Sequence, residues 1–129
     1  MYLLDTNICI DFVDGRNAVA QARVRENFAN GIHVSIITAG ELLVGPKTSE
    51  DPEGDKIKIE RFLSIVTEHD FDRKAADIYA EIARTIGVKR TSFDRLIAAH
   101  ALSLGLTLVT NNAKHFADVP GLKVENWTA

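Results

Sequence analysis

Three carboxylates hold equivalent places in this chain. Asp5 closes the apolar run Tyr2-Leu3-Leu4, Glu41 follows the β-branched run Ile32-His33-Val34-Ser35-Ile36-Ile37, and Asp94 stands beside Phe93 at the head of an apolar pattern. Each is expected at the start of a helix. In a parallel α/β sheet the helices that follow strands begin on one rim, so the three side chains can converge there. Carboxylates about 4 Å apart repel by about 1 kcal/mol in water and by about 4 at an effective dielectric of 20. A design concerned only with stability gains little from gathering them. A divalent cation removes the repulsion, and an all-oxygen site suits Mg²⁺ or Mn²⁺. No set of His and Cys has zinc spacing.

Taken singly, each acid also has a structural explanation. Acids near helix N-termini are favoured by the helix dipole. Asp5 can act as an N-cap, Asp94 as a first-turn acid, and Thr38-Ala39-Gly40-Glu41 matches a capping box. The flanks favour chemistry, because Leu3-Leu4-Asp5 and Phe93-Asp94-Arg95-Leu96-Ile97 set acids among core-directed residues.

The elements that must position these acids follow from periodicity. Strands are expected at residues 2–4, 32–37 and 106–109, with shorter candidates at 67–71 and 122–124. Helical spacing covers Ile8, Phe12 and Val13, then residues 18–28, 38–45, 58–66, 72–86 and 93–104. In the helix at 72–86, Asp72 is the expected N-cap, Gly87 the stop, and Ala75, Ile78, Tyr79, Ile82 and Ile86 the apolar stripe. The polar stretch 46–56, with two prolines and a glycine, is expected to be a mobile loop. Strands alternating with helices indicate an α/β fold with a mainly parallel sheet.

The 129 residues predict one domain, 1–129. No apolar run is long enough for a bilayer, and the N-terminus lacks a basic leader. With a single cysteine, Cys9, no intrachain disulfide framework is possible. These features predict a cytoplasmic protein without a membrane role. A net charge of −3 argues against a general nucleic-acid coat, though not against an enzyme that meets phosphate through bound metal.

The stretches around these acids resemble a known family. Leu3-Leu4-Asp5-Thr6-Asn7, Ile37-Thr38-Ala39-Gly40-Glu41-Leu42 with Gly45, Phe93-Asp94-Arg95-Leu96-Ile97-Ala98-Ala99, and Val109-Thr110-Asn111-Asn112 with Phe116 look like the PIN domain. In particular they look like the VapC toxins of VapBC toxin–antitoxin pairs. The resemblance implies a small central parallel sheet flanked by helices and a Mg²⁺-dependent endoribonuclease that cuts structured RNA, such as tRNA or ribosomal RNA loops. It implies Asp5 and Asp94 as direct metal ligands, with Glu41 binding directly or through water. Asn112 stands where a fourth acid is common and can offer a carbonyl oxygen or hold a metal-bound water. His115 stands where many relatives carry another acid. Partners implied are a VapB-type antitoxin and a second copy of the chain, with operator DNA reached only through the antitoxin.

Other residues carry weaker expectations. Thr6 and Thr110 are candidate hydroxyls that orient the acids, and Asn7 a candidate partner of Asp5. Arg84, Lys89, Arg90 and Arg95 surround the approach to Asp94 and are candidate contacts to RNA phosphates. Asp118 reads as surface, His100 as a core or dimer-interface residue, and Cys9 as packing; His33 and His69 carry no motif. Two other functions remain open. A haloacid dehalogenase-type phosphatase also ends its first strand on Asp, but needs a second Asp where this chain has Asn7. A non-catalytic binding module would make the acids helix caps only.

Overall fold

Tyr2–Leu4 forms β1, the middle strand of a sheet about which the rest of the chain is arranged. In the computed structural model, residues 1–45 and 49–128 are described. After β1 come α1 (Thr6–Asp14), α2 (Ala18–Glu26), β2 (Ile32–Ser35), α3 (Ile36–Val44), α4 (Pro52–Ile65) and β3 (Thr67–His69). Then follow α5 (Arg73–Ile86), α6 (Asp94–Leu104), β4 (Thr107–Val109), a 3₁₀ turn at Ala113–Phe116, and β5 (Val124–Glu125).

The strand order is β3-β2-β1-β4-β5, and every neighbouring pair is parallel. The chain winds outward from β1 to β3, then returns to add β4 and β5 on the other side. That reversal leaves a crevice between β1 and β4 at the strands' carboxyl ends, where open α/β sheets bind ligands. It places Asp5 at the crevice.

Side chains alternate across β1, so its two fully buried leucines face opposite layers. Leu3 packs with Leu108, Ile82, Ile97, Ala98 and Phe116 beneath α5 and α6. Leu4 packs with Val34, Val109, Ile8, Val24, Phe62 and Trp127 on the opposite face. Each such buried leucine contributes about 1.5–3 kcal/mol. The α5 helix has the expected stops, with Asp72 accepting from the Ala75 amide and Gly87 at a φ of 89°. Small residues on α6, including the fully buried Ala98 and Ala101, let that helix lie close under the sheet.

Two expectations are corrected. The expected strand 32–37 ends at Ser35, whose hydroxyl accepts from the Ile37 amide at 3.1 Å and caps α3. The helix therefore starts at Ile36, Thr38 is buried inside it, and Glu41 sits in its second turn, outside any capping box. Second, α4 begins at Pro52, six residues before the predicted start. Asp51 caps it by accepting from the Gly54 amide at 3.0 Å, and a proline at the first helical position costs no hydrogen bond. Of the predicted loop, residues 46–48 lie outside the described residues. The helix after β1 starts at once, as expected, with Thr6 its first residue and Asp5 its cap. Among the described residues, no helix is long and apolar enough to cross a membrane.

Candidate active site

Asp5 is placed by both the strand before it and the helix after it. Its amide donates to the Val109 carbonyl at 2.9 Å, extending the pairing with β4. Its Oδ1 accepts from the Ile8 amide at 3.0 Å. The side chain is buried, with 8% of the residue exposed. Burial raises its pKa from 3.8 to about 6; hydrogen bonds from Thr110 and Ile8 act downward, and the fields of Asp94 and Asp11 push further up.

Glu41 reaches the same region from α3. Thr6, next in sequence to Asp5, donates from Oγ1 to Glu41 Oε1 at 2.6 Å, and the Thr38 hydroxyl oxygen lies 3.3 Å from the same Thr6 atom. Asp94 is the first residue of α6, and its Oδ2 lies 3.4 Å from His115 Nδ1. A ring of polar contacts encloses the crevice. Thr110 bonds Asp5 and accepts from the Asn112 amide at 3.0 Å; the Asn112 carboxamide lies 3.1 Å from the His115 ring, which faces Asp94.

These residues suit a hard divalent cation. The charged groups that act on Asp5 are further acids, so a desolvated carboxylate has company of its own sign. Oxygen donors of this kind match Mg²⁺ or Mn²⁺. Among the described residues, however, no three His, Cys, Asp or Glu side chains stand close enough for a ready-made cage. Their links are separate: the field of Asp94 acts on Asp5, Glu41 accepts from Thr6, and Asp94 lies beside His115.

The remaining candidates separate. Asn7 is exposed and makes no side-chain hydrogen bond to Asp5 among the described residues. Arg95 is corrected as an RNA contact: its side chain is buried, and its two terminal nitrogens donate to Asp118 at 3.0 and 3.1 Å. Asp118 is accordingly a partner of Arg95 rather than a free surface acid, and that bond pulls its pKa down. Arg84 is exposed and pairs with Glu81 at 2.7 Å, while Arg90 is exposed on the loop before α6. Asp11 was missed. It lies on α1, six residues after the cap Asp5, and its charge acts on Asp5 from within the same element. His100 is buried against Ser35, with Nδ1 to Oγ at 2.7 Å, and burial lowers its pKa.

The PIN domain family model matches residues 2–122. The chain belongs to the PIN domain family. Within this family it is similar to VapC ribonucleases along nearly its whole length. A Shigella flexneri protein named tRNA(fMet)-specific endonuclease VapC is 41% identical, covering 98% of each chain. Ribonuclease VapC2 of Haemophilus influenzae is 42% identical, covering 98% of this chain and 97% of its own. The fold matches the crystal structure of VapBC2 from Rickettsia felis bound to a DNA fragment from their promoter. There the TM-score is 0.86 at 34% identity, with 98% of each chain covered. PIN-domain nucleases are generally dependent on divalent metal. The phosphatase and binding-module readings gain nothing from these relatives, and an exposed Asn7 is no substitute for a second aspartate.

Proposed function

We propose that this chain is the toxin of a type II toxin–antitoxin pair, an endoribonuclease that uses Mg²⁺, or Mn²⁺ in its place, to cut structured RNA such as tRNA. The observation that carries the reading is Asp5, a buried carboxylate that caps α1 at the sheet's switch point, within the field of Asp94. A group so costly to ionise suits a site that receives a cation. When bound, the ion polarises the scissile phosphate and makes a bound water more acidic.

The residues divide the work. Asp5 and Asp94 would hold the metal, with the Asn112 carboxamide at the rim. Thr110 fixes Asp5, and Thr6 fixes Glu41. Glu41 then orients the attacking water and takes its proton. The water oxygen bonds to phosphorus, the bond to the 3′ oxygen breaks, and that oxygen leaves protonated. The products are 5′-phosphate and 3′-hydroxyl ends. Lys89 and Arg90, and Arg84 once released from Glu81, meet flanking phosphates.

The DNA-bound VapBC complexes of the relatives support a VapB-type antitoxin for this chain, with operator DNA held by the antitoxin; a second copy of the chain completes a toxin homodimer. The chain's own net charge of −3 fits that division of labour. The test is to induce the toxin and map RNA ends carrying 5′-phosphates, beside an Asp94→Asn control. New ends clustered in one class of structured RNA, absent from the control, are expected. The same ends in both cultures overturn the assignment.

A further inference from the structure

Arg95 is a buried charge with an incomplete set of partners. The residue is 6% exposed, and its two terminal nitrogens share one carboxylate, that of the half-exposed Asp118. Its buried Nε has no hydrogen-bond partner among the described residues. Taking a guanidinium out of water is expensive, and apolar side chains of similar volume in place of a buried ion pair are often as stable or more so. Stability alone therefore does not explain an arginine here. The pair does supply direction. Two parallel N–H···O bonds from a planar guanidinium fix both the distance and the angle between the groups they join.

The two ends of the pair belong to two elements that meet at the crevice. Arg95 follows Asp94 in the first turn of α6, and Asp118 comes three residues after His115, where the turn after β4 ends. Beneath that turn, Phe116 and Val119 are buried in the same cluster as Ile97 and Ala98 of α6. Apolar burial of this kind is non-directional, so it holds the turn down without orienting it. The fork to Asp118 adds the orientation. The same turn carries Asn112 and His115, and His115 Nδ1 ends 3.4 Å from Asp94 Oδ2. We propose that Arg95 is a positioning residue, whose fork to Asp118 orients the turn after β4 so that Asn112 and His115 stand beside Asp94 during RNA cleavage. This rests on the nuclease reading above and deepens it.

The test uses the full chain and a double variant, Arg95→Met with Asp118→Ala, which removes both charges and leaves no unpaired ion in the core. It is expected to melt near or above the wild type. Its kcat on one RNA is nevertheless expected to fall by roughly tenfold or more, with KM little changed. Arg95→Lys keeps the cation without the fork and is expected to lie between the two. Amide hydrogen exchange supplies a readout independent of cleavage. The amides of Asn112, His115 and Val119, each bonded within the turn, are expected to exchange roughly tenfold faster in the double variant, while those of β1 and α5 keep their rates. Wild-type kcat in the double variant, or unchanged exchange in the turn, overturns the proposal. A kcat that falls only in step with the melting temperature makes the pair structural and overturns it too. A wild type that cuts no RNA removes the nuclease reading and this role in cleavage with it; faster exchange in the turn then still identifies Arg95 as its clamp.

Discussion

Thr6 Oγ1 donates to Glu41 Oε1 across 2.6 Å, joining the residue after the central strand to the second turn of α3. One hydroxyl thus sets the distance between two acids that lie far apart in sequence. Thr6 acts through Glu41, so it is a positioning residue. Thr6→Val is expected to lower kcat by roughly ten- to hundredfold, with KM little changed. Thr6→Ser is expected to restore most of it. Cleavage kinetics on one RNA, with melting curves to confirm folding, check this; equal loss in both variants rejects it.

Asp5 is expected to trade stability for function. Its folded pKa, near 6, lies above its ordinary 3.8. Stability from the neutral carboxyl is therefore full below about pH 4 and is lost as pH rises through 6. The shift corresponds to about 3 kcal/mol at most by order of magnitude. Asp5→Asn keeps a side chain that can cap α1. It is expected to melt higher than the wild type at pH 7.5 without metal, and near it at pH 4. Adding Mn²⁺ is expected to raise the melting temperature of the wild type only.

The same carboxyl makes metal binding depend on pH. An ion must displace its proton, so affinity for Mn²⁺ is expected to rise between pH 5 and 7 and then level off. Calorimetry in two buffers of different ionisation enthalpy reads the released proton directly. A flat affinity across that range counts against Asp5 as a ligand.

Arg95 and the loop before α6 are expected to behave differently. Reversing Lys89 and Arg90 together is expected to weaken RNA binding and lower the salt slope by roughly 0.7 for each phosphate no longer neutralised. Asp118→Ala leaves the buried Arg95 guanidinium unpaired. It is expected to lower stability at neutral pH without changing that slope. Because the Arg95 bond depresses the Asp118 pKa, its contribution is present above the ordinary carboxylate range and disappears as pH falls through the lowered value. Binding titrations at several salt concentrations separate the two effects.

A row of histidines predicts sensitivity to acid. His33 Nδ1 and His69 Nε2 are 2.7 Å apart between β2 and β3, which one shared proton satisfies and two do not. Burial, then the charge of His69, lowers the pKa of both His33 and His100. Stability from their neutral forms is present above 6.5 and lost as pH falls below it. In an Asp5→Asn background, where the opposing carboxyl is silent, melting temperature is expected to fall with acid below 6.5. A further His33→Gln change is expected to shrink that fall.

Much of this arrangement is legible in the chain. The apolar run before Asp5, the stripe of α5 and the paired signals of Asp72 and Gly87 are local, and local preference and tertiary packing agree there. The start of α3 is not legible, because Ile36 and Ile37 suit a strand. Only the Ser35 hydroxyl, itself bonded to His100 from a distant helix, makes the chain turn there. Arg95 reads as a surface cation because its partner Asp118 lies 23 residues away. The approach of Asp94 to His115 depends in the same way on how the turn after β4 folds back over the sheet.

Trp127 gives the architecture a consequence for synthesis. It is 1% exposed and packs its ring against Tyr2 with centroids 4.8 Å apart, so the last part of the chain covers the first. The strand that ends in Asp5 also needs β4 beside it. While a ribosome is still making α6, the aspartate lacks its neighbour strand. Chains that have not yet reached β4 therefore carry no assembled crevice.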